Sequence, residues 1–174
     1  MAQIDTLWPD QAHRALYDAD VRLIAYVPDA GLTRLIEACQ ADGAMTTVCL
    51  TTEEEGVAML AGAWLGGQRG ALLMQSSGVG NCVNMLSLIE VCRFPLLIIV
   101  TMRGEDGETN QWQMPMGRNT RAAFELTGVQ VHRTDVAADV AGLVAEAAHG
   151  AFADCQARAV LIGQAVIGVK RFED

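Results

Sequence analysis

Positive charge is scarce in this sequence: 12 lysines and arginines stand against 21 aspartates and glutamates, a net charge of −9 over 174 residues. No basic block interrupts that balance, which argues against nucleic acid or an anionic membrane as partner. Long apolar runs are missing too. The longest, near Pro95 to Met102, falls short of the roughly 18 residues of a membrane span and suits a buried strand. Met1 to Asp10 mixes charge with apolar residues, so no signal peptide is expected. The five cysteines, Cys39, Cys49, Cys82, Cys92 and Cys155, are odd in number and form no C-x-x-C. They read as small core residues in a reducing cytosol rather than as a disulfide or zinc framework, so a cytoplasmic location is expected. His13, His132 and His149 are scattered, and no metal site is expected on this chain.

What the chain has is apolar bulk. Hydrophobic residues make up 51% of it, enough for one domain over 1–174 with a buried core and a surplus that fits a subunit interface or self-association. Strand-like and helix-like runs alternate. Strands are expected at Leu23–Val27, Thr47–Leu50, Ala71–Gln75, Leu96–Thr101, Val129–His132 and Ala159–Ile162. Helices are expected near Pro9–Asp18 and over Leu32–Ala41, Glu53–Leu65, Asn81–Cys92, Thr120–Leu126 and Val136–Phe152. A long loop is expected from Met102 to Asn119, its Trp112, Met114 and Met116 suiting an interface or lid. The pattern predicts an α/β fold: a doubly wound, mostly parallel sheet of about six strands with helices on both faces. Loops after the strands then gather at one sheet edge, where such folds bind ligands. Those loops are Pro28-Asp29-Ala30-Gly31, Thr51 to Glu55, Ser76 to Gly80, and Arg103 onward.

The stretch Thr51 to Asn84 carries the most chemistry. Val57, Leu60, Ala61 and Trp64 recur at helical spacing and mark a buried face. Three glutamates precede them. Glu53 and Glu55 suit the helix dipole and a capping box, with Thr52 and Glu55, or Thr51 and Glu54, as the box pair. Glu54 is directed along the core face. A half-buried carboxyl there can act as acid or base, or hydrogen-bond a ligand's ring nitrogen. The turn Gln75-Ser76-Ser77-Gly78-Val79-Gly80-Asn81 brings backbone close to a ligand at a helix start. Val83 stands where a third glycine of G-x-G-x-x-G belongs, and the P-loop Lys-Ser/Thr is absent, so the turn suits the wall of a flat ring better than a phosphate cradle.

The motifs E-E-E-G-V-A-M-L-A-G-A, M-Q-S-S-G-V-G-N-x-V-N, R-G and Q-M-P-M-G-R together resemble one branch of the thiamine-diphosphate-dependent decarboxylases. The branch holds sulfopyruvate decarboxylase alpha subunits and the amino-terminal part of phosphonopyruvate decarboxylase. The resemblance implies a pyrimidine-binding (PYR) domain. It maps the family's catalytic glutamate, two residues before the small residue Gly56, onto Glu54, whose carboxyl would hydrogen-bond N1′ of the aminopyrimidine. It places Gly78, Val79 and Gly80 near the pyrimidine and gives Gln75 and Asn81 orienting roles. It puts Asp29 in the first active-site loop, and Arg103 and Arg118 where a guanidinium fork suits a sulfonate or phosphonate. The implied substrate is a small anionic 2-keto acid. The family's G-D-G followed by Asn is absent, and Gly104-Glu105-Asp106-Gly107 does not match it. The resemblance therefore implies that a separate beta subunit holds the diphosphate and Mg²⁺.

Overall fold

The computed structural model describes residues 7–168. The leader reading of Met1 to Asp10 falls partly on residues 1–6, outside the described residues.

Six strands form one sheet: β1 (Val21–Tyr26), β2 (Thr46–Cys49), β3 (Arg69–Gln75), β4 (Leu96–Thr101), β5 (Gln130–Thr134) and β6 (Ala157–Ile162). Their order is β2-β1-β3-β4-β6-β5, and every pairing is parallel. Side chains alternate across a strand, so each central strand feeds two cores. Ile24, Leu73, Ile99 and Val160 point into one, under helices α1 (Trp8–Asp18), α2 (Thr33–Ala41) and α7 (Val140–Asp154). Ala25, Leu72, Ile98 and Leu161 point into the other. Helices α3 (Glu53–Leu65), α4 (Val79–Cys82), α5 (Leu86–Cys92) and α6 (Met114–Leu126) supply that second layer through Val57, Cys82, Ile89 and Phe124. Each fully buried Leu or Ile contributes about 1.5–3 kcal/mol by leaving water. β4 is buried along its whole length, whereas the edge strand β2 is only partly covered. A short α8 (Gln164–Ile167) follows β6.

Two expectations change. The helix foreseen over Asn81–Cys92 begins earlier, as a 3₁₀ turn at Ser76–Gly78 running into α4, and is interrupted before α5. Ser87 N–H donates to Asn84 C=O and Leu88 N–H to Met85 C=O, so the bonding there tightens from four residues to three. The loop foreseen to Asn119 ends at Met114, where α6 starts with Pro115 in its first turn. Proline lacks only a donor that a first turn leaves unused, so it begins this helix. The cysteines divide: Cys39 and Cys82 are buried, and Cys49, Cys92 and Cys155 are exposed.

Phe124 is fully buried and fastens α6 to the second core. Phe124→Ala is expected to lower stability by about 3–5 kcal/mol, read by urea denaturation.

Candidate functional site

Because all strands are parallel, the segments after β1, β2, β3 and β4 emerge on one edge. The strand order reverses direction at β1 and β3, the switch point where ligands enter such sheets. The β1 exit is braced by Asp29, whose Oδ2 accepts from Gly31 N–H at 3.0 Å and from Thr101 Oγ1 at 2.7 Å. Gln75 ends β3 opposite Thr101 in the register. Ser76 ties the glycine turn to the β4 exit: its Oγ accepts from Arg103 N–H at 2.9 Å and donates to Arg103 C=O at 3.2 Å. Gly78 and Val79 are buried, Gly80 is exposed, and a Cβ on Gly80 would sit 3.4 Å from Met116 Sδ on α6.

The three glutamates open α3 with distinct fates. Thr52 is the N-cap with extended backbone, but its side chain makes no cap bond. Glu55 is exposed and its Oε2 accepts from Thr51 N–H at 3.0 Å, so half of the capping box forms, one residue early. Glu53, expected as a dipole or capping acid, is the most buried at 6% exposure. Its Oε2 accepts from Asn81 Nδ2 at 2.8 Å. Its other oxygen lies over Gly78, where an added Cβ would come within 2.2 Å. The sequence carried a signal for this, since Glu53 lies four residues before Val57 on the same helical face.

Glu54 is half-buried, and its Oε2 is sealed from solvent with no hydrogen-bond partner among the described residues. A buried carboxylate oxygen without a donor is costly. A ring nitrogen sharing a proton with this carboxyl satisfies it, so the residue fits the aminopyrimidine of thiamine diphosphate. Cys82 lies beneath both acids. Burial, then the charges of Glu53 and Glu54, push its thiol up to about 12, which makes it an inert packing group.

The two arginines separate. Arg103 is buried, and its Nε and Nη2 donate to Glu108 at 2.9 and 3.2 Å, so its fork is engaged within the chain. Arg118 is exposed on α6 and makes no hydrogen bond or ion pair among the described residues. It lines an open cavity of about 700 Å³ at the exits of β4, β6 and β5, with Met114, Arg133 and Gln164 also in its wall. No sequence pattern marked Glu108, whose side chain is 0% exposed. It also accepts from Asn110 N–H at 2.9 Å and Gln164 Nε2 at 3.0 Å. Glu105 and Gln164 exchange bonds, each backbone N–H donating to the other's side chain at 3.0 and 2.8 Å. Gly104-Glu105-Asp106-Gly107 thus pins the loop to the β6 exit. Among the described residues no group of three His, Cys, Asp or Glu is placed to hold a metal ion.

Arg103, first, and the backbone and amide donors around it hold the Glu108 carboxyl down at about 2, against an ordinary 4.5. Glu108→Gln is expected to cost about 3–5 kcal/mol at neutral pH by stranding a buried guanidinium. A depressed carboxyl contributes stability above its unfolded value and loses it as pH falls through the folded one. The gap between wild type and variant in urea denaturation should therefore be full at pH 7 and visibly narrower at pH 3.

The family model described as thiamine pyrophosphate enzyme, N-terminal TPP binding domain, matches residues 10–123. The sulfopyruvate decarboxylase subunit alpha of Methanococcus maripaludis is 36% identical over 121 residues, 69% of this chain and 72% of that protein. That of Methanothermobacter thermautotrophicus is 40% identical over 112 residues, 64% of this chain and 68% of its own. The phosphonopyruvate decarboxylase of Streptomyces viridochromogenes is 37% identical over 139 residues, 79% of this chain but 33% of that longer one. Among solved structures, the 2-oxoglutarate:ferredoxin oxidoreductase of Magnetococcus marinus superposes with TM-score 0.73 at 13% identity, covering 92% of this chain and 29% of its own, a likeness of fold.

Proposed function

This chain belongs to the thiamine pyrophosphate enzymes, whose N-terminal TPP binding domain it carries, and from that premise we propose that it is the pyrimidine-binding catalytic subunit of a two-subunit 2-keto acid decarboxylase. The sealed, unpartnered Glu54 Oε2 carries the reading. Glu54 holds a proton against N1′ of the aminopyrimidine, and the backbone of Gly78, Val79 and Gly80 forms the wall beside the ring. When bound, thiamine diphosphate would supply a carbon nucleophile and an electron sink for decarboxylation of a 2-keto acid. The substrate reading is sulfopyruvate, supported by relatives named for it. Arg118 is the unengaged guanidinium at the edge for an anionic tail, and Arg103 acts through its pair with Glu108 instead. Phosphonopyruvate is the second reading, favoured by the Streptomyces match over 79% of this chain.

The diphosphate and Mg²⁺ fall to a beta subunit in this proposal. The relatives' designation as subunit alpha supports it. CO2 release from both keto acids, with thiamine diphosphate and Mg²⁺, is expected only when the chain is mixed with the product of the neighbouring reading frame. Robust turnover by the chain alone contradicts the split arrangement, and the faster substrate names the enzyme. In the assembled complex, Glu54→Gln is expected to lower turnover about 10²–10⁴-fold. Wild-type turnover in a variant complex of correct mass would remove Glu54 from the reaction.

A further inference from the structure

Glu53 has no part in the reaction just described, yet it is the most buried of the three glutamates at 6% exposure. Glu53 and Glu54 are consecutive in one helical turn, so their side chains diverge by about 100°. Glu54 Oε2 is left without a partner among the described residues. Glu53 reaches Asn81 Nδ2 at 2.8 Å, the one hydrogen bond between side chains of α3 and α4 among the described residues. Gly78 is the residue that admits it, since a Cβ there would come within 2.2 Å of Glu53 Oε1. The same contact therefore couples the first turn of α3, which carries Glu54, to the turn that forms the ring's wall.

We propose that Glu53 and Asn81 are positioning residues: a latch that sets the separation between the Glu54 carboxyl and the Gly78–Gly80 backbone. Asn81 reaches the cofactor through this latch rather than by contact, because its amide is turned to Glu53. Burying a charged side chain against an amide is a poor way to gain stability, as an apolar residue of similar volume fills such a space at lower cost. It is a good way to aim two segments, because a hydrogen bond specifies direction and packing alone does not. The adjoining turn is held from its other side by Ser76 to Arg103 and is thereby fixed at both ends. Misplacing a reacting group by about 1 Å can cost about 10²-fold in rate, so the latch acts on turnover before it acts on folding.

The latch rests on the decarboxylase reading for its purpose but not for its existence, and two measurements separate them. Hydrogen exchange on the full chain needs no cofactor. Amides of residues 78–83 are expected to exchange faster in Glu53→Ala and Asn81→Ala, and at the wild-type rate in Glu53→Gln, whose amide oxygen still accepts from Asn81. Unchanged exchange in both alanine variants overturns the latch whatever the enzyme does. In the complex with the partner subunit, each alanine variant is expected to lower kcat about 10- to 100-fold, with KM for the keto acid within about threefold. The double variant should be no worse than either single one, and Glu53→Gln should recover most of the loss. Wild-type kcat in variants whose exchange has quickened shows a brace without catalytic consequence and overturns the positioning role. A Glu53→Gln complex as slow as Glu53→Ala does the same, because charge rather than the bond would then matter. Failure of the wild-type complex to bind thiamine diphosphate by calorimetry sinks the decarboxylase reading and leaves the exchange result to judge the latch.

Discussion

Parallel pairing is the constraint on which the rest depends. Six strands running one way bring their carboxyl ends to a single edge, and the central ones are buried on both faces. The apolar alternation that feeds the two cores thus also decides where polar groups can converge. A strand reversed anywhere would carry its exit loop to the opposite edge and separate the acids of α3 from the glycine turn after β3. Helix α3 serves both ends: Val57 and Leu60 bury its middle, and its first turn meets the edge.

The edge is held by hydrogen bonds to side chains that lie inside the protein. Asp29 joins the exits of β1 and β4, Ser76 joins those of β3 and β4, and Glu108 with Gln164 joins the β4 loop to the β6 exit. Each uses a short polar residue or a buried charge whose bonds are satisfied within the chain, which rigidifies loops that would otherwise be mobile. Against that background Glu54 differs: its sealed oxygen, like single atoms of Gln113, His132 and Arg158, has no partner among the described residues, and of the four it alone belongs to the acids that open α3. An unsatisfied group in a rigid frame is what a site prepared for a ligand looks like.

Family membership fits this division. The chain carries the N-terminal TPP binding domain, and its likeness to an oxidoreductase at 13% identity shows how far the frame persists when the sequence does not. Fold alone does not name a substrate. Arg118, exposed and without a hydrogen bond or ion pair among the described residues, is a side chain that the frame presents without requiring.

Much was legible before the structure. Alternating strand and helix periods determined the α/β class, the six strands and the edge on which the loops collect, because apolar periodicity is local in sequence and strand–helix alternation forces parallel pairing. Glu54 stood out by its helical phase relative to Val57. What the tertiary structure alone decided depends on groups distant in the chain meeting one another. It buried Glu53 against Gly78 and bonded it to Asn81, 28 residues further along the chain, where spacing had suggested a capping acid. It closed the Arg103 fork on Glu108 and left Arg118 open on α6, a distinction absent from two arginines that the sequence placed in one expected loop. It also started α6 at Met114, inside the stretch expected as loop to Asn119. The sequence by itself therefore determined the frame and the edge at which the acids of α3 stand. Which charges are engaged and which are free was decided by packing, since a side chain's partner is set by whatever the fold places within about 3 Å of it.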